Sequence, residues 1–328
     1  MGYREAVRRL FLFLFLVGCG ARTDLGGSKG AGPACTKAPW ILFDTQGGIA
    51  AVRRDGTDRH LLTTLVTSGD VKAFVPAMSP DGNSLVFITF SNDGEQELSL
   101  LDLPSGKRRT IAQVTPQPPH TGFGKAAISY DNEWIAFGNS PDLHLVAFDD
   151  TGDHVIVPGP FEEGCCPWSY GHPQFSADSS LIYYSTIGRL SSIRTDGSNN
   201  QLLYQDQFFS NPTIAGFVFP NVSLSNDGKK LVAQVACDVS ELRIFATTDL
   251  PAKDPCSVGT KLVETGISQA SNEASNPSWG PADVIAYDDG ADVFLIPASG
   301  GSKTNLTQNG ADAFAADPVW APGCANVP

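Results

Sequence analysis

The 328-residue chain is short of cations, of histidine and of long apolar runs, and each shortage removes a class of function. Lys and Arg number 22 against 35 Asp and Glu, a net charge of −13, so nucleic acid is not an expected partner. The longest apolar run, Leu10 to Val17, falls far below the ~20 residues that a membrane-spanning helix needs. There are five histidines, and no Asp-x-Asp-x-Asp loop with a downstream Glu of the kind that cradles Ca²⁺. Helical periodicity is scarce too, whereas Gly (33) and Pro (23) are plentiful, a balance that points to all-β structure rich in turns.

What is present is a repeat. Ser79-Pro80-Asp81-Gly82 precedes the apolar run Leu85-Val86-Phe87, and the phrase returns as Ser129-Tyr130-Asp131-Asn132, Ser176-Ala177-Asp178-Ser179 and Ser225-Asn226-Asp227-Gly228. A shortened copy, Trp279-Gly280-Pro281-Ala282-Asp283, precedes Ile285-Ala286-Tyr287. The anchors at 79, 129, 176, 225 and 280 are spaced by 50, 47, 49 and 55 residues, the period of four-stranded propeller blades. Each copy predicts a short inner strand before the Asp turn (Phe74 to Ser79) and a buried second strand after it. An alternating third strand (Leu98 to Leu103) and an outer strand (Arg108 to Ala112, Gln201 to Tyr204) follow, joined by Gly turns at 106, 152, 197 and 300.

The two ends of the chain supply a sixth blade. Pro318 to Gly323 matches the inner strand and turn of Asn276 to Pro281, and the strands it lacks lie at the other end: Trp40 to Phe43, Gly48 to Arg53 and His60 to Leu65. The expectation is an all-β, six-bladed β-propeller of four-stranded antiparallel blades, closed by a blade shared between the N- and C-terminal segments, which hides otherwise open sheet edges.

Cysteine placement agrees with this ring. Cys35 and Cys324 flank the shared blade, and a bridge between them would lock the closure, contributing on the order of 5 kcal/mol in the loop-entropy model. Cys237 and Cys256 flank the third strand of the blade that begins at Ser225, pairing across its long turn. Cys165 and Cys166 are neighbours, with Cα atoms about 3.8 Å apart; they form either a strained vicinal bridge or a reduced pair. Spacing alone does not fix this connectivity. The odd cysteine, Cys19, follows Arg4, Arg8, Arg9 and the apolar run, the layout of an export signal. Leu16-Val17-Gly18-Cys19 resembles the lipobox of bacterial lipoproteins, which implies cleavage before Cys19 and acylation of its thiol. Residues 1–18 are then a signal peptide, 19–34 a lipidated cysteine with a Gly-rich flexible tether, and 35–328 the propeller. Removing residues 1–18, which carry a net +2, leaves −15. Gly20 is not the Asp associated with inner-membrane retention, which favours the outer membrane, facing periplasm or cell surface. Export to an oxidising compartment suits three disulfides.

The phrase at residues 79 to 87 resembles the WD40-like repeat of TolB-type propellers, and similar phrases cover most of residues 36 to 324. The resemblance implies a scaffold whose function sits in grafted loops. The connectors that the repeat does not dictate are aromatic: Val114 to Lys125 with His120 and Phe123, Phe161 to His172 with Trp168, Tyr170 and His172, and Gln205 to Pro220 with Phe208 and Phe209. These residues are the candidate partner-binding set, although each Phe would equally pack between blades. Asp93, Glu95, Asp142, Asp238, Asp288 and Asp289 add acidity to the same face, read as a solvated rim. The expected function is a monomeric, non-catalytic envelope lipoprotein that binds a protein, peptide or glycan. No catalytic residue, metal or cofactor is assigned; a Ca²⁺ site among those acidic loops is the alternative to an unliganded rim. The second reading is a metal-dependent propeller lyase or hydrolase acting on an envelope or extracellular polymer, built on His120, His172 and Glu162 or Glu163.

Overall fold

The structure is a computed structural model that describes residues 38–62, 72–91, 94–114, 122–139, 141–149, 151–159, 171–186, 189–205, 218–236, 240–249, 256–264, 276–308, 315–321, 325 and 327. These residues form six four-stranded antiparallel sheets, and the only helical turns among them are the 3-10 pieces Thr247–Asp249 and Pro281–Asp283. Numbering blades from the first complete one, the inner strands are Lys72–Met78, Phe123–Ile128, Gly171–Phe175, Val218–Leu224 and Ser278–Trp279 for blades one to five. Blade six takes its inner strand, Ala315–Ala321, from the C-terminal side and its other three, Trp40–Thr45, Gly48–Arg53 and His60–Leu61, from the N-terminal side. The closure is antiparallel, with Trp40 opposite Ala321, Ile41 opposite Trp320 and Leu42 opposite Val319. The shared blade is therefore as expected; residues 63–65, assigned above to its outer strand, lie outside the described residues.

Why the repeat folds this way is visible in the Ser-x-Asp phrase. The Ser79 hydroxyl donates to Asp81 Oδ1 (2.6 Å), which also accepts the Asn83 N–H (3.0 Å), while Ser79 Oγ accepts the Ser84 N–H (2.8 Å). The same Ser-to-Asp bond recurs at 129/131, 176/178 and 225/227 (2.5, 2.6 and 2.7 Å). Each side-chain pair satisfies turn N–H groups that no strand can reach and fixes where the second strand starts. These bonds to the ionised form hold the Asp178 and Asp227 carboxyls below the usual carboxylate range. The left-handed residue of the turn is Gly82 (φ 72°) in blade one but Ser179 (φ 58°) in blade three, where the hydroxyl accepts the Asp131 N–H of blade two (3.1 Å). A strained backbone there serves contact between blades.

Second strands are apolar on both faces because each is covered by a neighbouring blade on either side. In Trp40–Thr45, Ile41 and Phe43 pack on blade five, while Trp40 and Leu42 pack on blade one. Alternate side chains point to opposite faces of a strand, so a continuous apolar run is what double coverage requires. Six hydrophobic clusters result, one at each blade junction. Fully buried Phe43, Phe87, Phe137 and Phe245 anchor four of them, each worth roughly 2–3 kcal/mol by area.

Tyr287 is the exception in kind. Fully buried and stacked on Phe294 (5.5 Å between centroids), it has a hydroxyl with no hydrogen-bond partner among the described residues, and burial pushes its pKa up. Tyr287→Phe is expected to leave thermal stability unchanged or to raise it by about 1 kcal/mol, since an unpaired hydroxyl is removed without changing shape. A loss above about 1 kcal/mol would mean that the hydroxyl is bonded.

Candidate ligand site in the propeller channel

The six inner strands line the central channel, and five of the six blades carry a polar residue at the same place. Counting back four residues from each anchor gives Val75, Lys125, His172, Asn221, Asn276 and Asp317, one from every blade. Pairing with the second strand is interrupted there by a bulge in blades one, two, three, four and six. Val75, His172 and Asp317 sit at φ 55°, 53° and 54°, each followed by proline. A β-branched residue at positive φ is rare, and bulges of this kind re-aim side chains next to functional sites.

One step outward, Asp44 and Asp288 occupy equivalent places at the ends of the second strands of blades six and five. Both are buried. Asp44 accepts the Val75 N–H of blade one on both oxygens (2.9 Å each). Asp288 Oδ2 accepts the N–H (3.2 Å) and side-chain amide (3.2 Å) of Asn276 and the N–H of Asp317 (3.1 Å). The Lys125 ammonium of blade two pairs with the Asp317 carboxylate of blade six. Three carboxyls thus share one cation. Burial, then the Asp317 charge, pushes Asp288 up to about 7, against the opposing pull of Lys125 and Asn276. The same two causes hold Asp44 well above the ordinary carboxylate range. Burial, reinforced by Lys125, pushes His172 well below its ordinary value, so its ring is neutral near pH 7 and has no hydrogen-bond partner among the described residues. Asp288, read from the sequence as part of a solvated rim, is instead 1% exposed and bonded into the ring, because the bulged inner strands bring backbone N–H groups to it.

A cavity of about 400 Å³ occupies the channel from the level of Lys125 and His172 to the face that carries the Asp turns. Lys125, His172, Gln174 and Asn226 give it hydrogen-bonding groups, and Tyr130, Phe175, Trp279 and Trp320 give it aromatic wall. A cavity of this size that combines aromatic wall with a few convergent polar groups is the ordinary form of a ligand site.

Of the residues expected to bind a partner, the structure brings His172 to this cavity. Phe123 packs edge-on against Phe137 (6.0 Å) at the junction of blades one and two. His120, Trp168, Tyr170, Phe208 and Phe209 lie outside the described residues, as do Cys19, Cys35, Cys165, Cys166, Cys237 and Cys324. Cys256 is disulfide-bonded. Lys125, Asn276, Asp317, Trp279 and Trp320 went unread as channel residues. For Asn276 and Asp317 the signal was a polar residue followed by proline four places before the anchor; Lys125 holds the same place with Ala126 after it. Among the described residues no three His, Cys, Asp or Glu side chains are placed to hold a metal ion, and no helix is long and apolar enough to cross a membrane.

No family model matches the chain, and no curated protein does. Among solved structures, TolB from Acinetobacter baumannii superposes with a TM-score of 0.63 at 15% identity, covering 87% of this chain and 67% of that one. Two oligogalacturonate lyase structures, one in complex with manganese and one from Vibrio parahaemolyticus, align at TM-score 0.49 with 15% and 13% identity. They cover 83% and 82% of this chain and 74% and 72% of theirs. With six four-stranded blades closed through a shared one, and a TolB structure laid over most of it, the chain has the fold of a TolB-type β-propeller.

Proposed function

We propose that this chain is a non-catalytic binding module of the cell envelope, exported and held to a membrane by a lipid on Cys19, whose propeller seats a protein, peptide or glycan partner. The observation that carries the reading is the channel cavity, in which polar groups from several blades converge beside aromatic wall. Such a site grips a protruding side chain, a chain end or a sugar ring; its rigidity, imposed by six packed junctions, limits the entropy lost on binding. The connector residues His120, Trp168, Tyr170, Phe208 and Phe209 extend the contact in this reading, and the lipobox-like Leu16 to Cys19 supplies the anchor and favours the outer membrane. Disulfides pairing Cys35 with Cys324 and Cys237 with Cys256 suit the same oxidising compartment.

The test is capture from envelope extract by the full chain, compared with a His172→Ala/Gln174→Ala variant of equal melting temperature. A partner held by the parent and lost at least tenfold by the variant is expected; capture that ignores the channel pair would remove the cavity from the reading. Labelled palmitate should enter the parent and not Cys19→Ser, and labelling of both would refute the anchor.

A further inference from the structure

We propose that Asp44, Asp288 and Asp317, gathered round the Lys125 ammonium, form a proton-binding site that locks the ring: a proton held among the three carboxyls keeps blades five, six and one joined at the channel, and its release loosens that junction.

The geometry is specific to the closure. Asp44 of blade six holds the Val75 N–H of blade one, Asp288 of blade five holds the Asp317 N–H of blade six, and Lys125 reaches from blade two to Asp317. Blades three and four contribute no carboxyl at the equivalent positions, where Ser185 and Gln234 stand. The groups that face Asp288 are few. Asp317 of blade six and Lys125 of blade two act on it directly; Asp44 of blade six reaches it through Asp317, and the neutral His172 of blade three faces Lys125. On the turn that follows Asp288, Asp289 is occupied by the Ala291 and Asp292 N–H groups (3.1 and 2.9 Å), and Asp292 by Thr307 and Asn305 (2.6 and 2.7 Å). With all three carboxyls ionised, one ammonium leaves two buried negative charges uncompensated, and they repel one another across the very junction they bridge. A single proton removes one of them without removing an accepting oxygen.

The sign of the pH dependence follows. Above pH 4 the unfolded chain has lost the Asp288 proton, whereas the folded chain keeps it to about pH 7, so stability falls as pH rises across that window. Asp44 acts in the same direction. His172 opposes them: below its ordinary value of 6.5 the unfolded chain takes up a proton that the folded chain refuses, so its contribution falls as pH falls. The two slopes mask one another in the parent.

Separating them is the experiment. In full-length His172→Gln, the ratio of folded to unfolded chain is expected to drop at least tenfold per pH unit between pH 5 and 7. Adding Asp288→Asn, which keeps an oxygen for the Asn276 and Asp317 N–H groups, should flatten that slope by one proton. A level profile in His172→Gln, or parallel profiles with and without Asp288→Asn, overturns the proposal. Should the double variant fail to fold, amide exchange in the parent decides. Protection of the Val75 and Asp317 N–H groups, corrected for intrinsic rates, should fall about tenfold between pH 6 and 8 relative to Ile182 of blade three, and equal behaviour of the two sets overturns it.

Discussion

Gly280→Ala is expected to destabilise the propeller by about 3 kcal/mol, the upper range for forcing a methyl group into a packed interior. The backbone is not the reason, because Gly280 has extended dihedrals (φ −110°, ψ −175°) that any residue adopts. Space is the reason: a Cβ at this position would stand inside the indole of Trp320, overlapping Cε2, Cδ2 and Nε1. That indole cannot retreat cheaply. Its N–H donates to the Ser278 carbonyl (2.9 Å), and its backbone pairs with Ile41 in the closing strand pair. In the four regular blades this anchor is a Ser that bonds its own turn; in blade five the Ser is replaced, and Trp279 Nε1 bonds Asp283 instead (3.2 Å). The shortened copy of the repeat is thus an accommodation to the tryptophan of the next blade. Denaturant melts of Gly280→Ala, Trp320→Leu and the double variant test this. The glycine substitution should cost much less once the indole is gone, and a Gly280→Ala variant within 0.5 kcal/mol of the parent would show that the junction yields.

Lys125→Met should cost about 2 kcal/mol at pH 8 and markedly less at pH 5. Its pair with Asp317 is not fully dry, the two side chains being 19% and 18% exposed, so the cost lies below that of breaking a completely buried ion pair. The pH dependence has a definite sign. Lys125 lowers the pKa of both Asp44 and Asp288, and without it they hold their protons to higher pH. At pH 5 Asp288 is largely neutral in either protein, and the loss is mainly that of the Asp317 contact. At pH 8 the parent must carry ionised carboxyls and has a cation for them, whereas the variant has none. Urea melts at the two pH values give the comparison, and equal losses would mean that Lys125 serves Asp317 alone.

The architecture was legible because the repeat is written in turn chemistry. A Ser that donates to an Asp two residues on, ahead of an apolar run, has one local solution, and four copies at near-constant spacing state the blade count before any contact is known. The shared blade was legible for a related reason: Trp40 to Phe43 had no inner strand before it, and Pro318 to Ala321 had no second strand after it. The channel was harder. Lys125, His172, Asn276 and Asp317 are 41 to 104 residues apart along neighbouring members of the set, and only closure of the ring makes them neighbours. Asp288 was misread for the same reason, since an acidic pair before a Gly reads locally as a solvated turn. Its partners are Asn276, twelve residues back in its own blade, and the Asp317 N–H presented by the bulged strand of the next blade. Phe123 shows the converse, an aromatic whose place beside Phe137 was set by packing between blades.

The closing strand pair also imposes an order in time. Trp40–Thr45 is among the first of the described strands to be made, yet its partner on the channel side, Ala315–Ala321, comes last. Until that final segment arrives, one edge of the earliest sheet has its N–H and C=O groups unclaimed, and a chain made from its N-terminus must wait with that edge open. A chain stopped just short of residue 315 would keep five complete blades and an unsealed gap where the inner strand of blade six belongs.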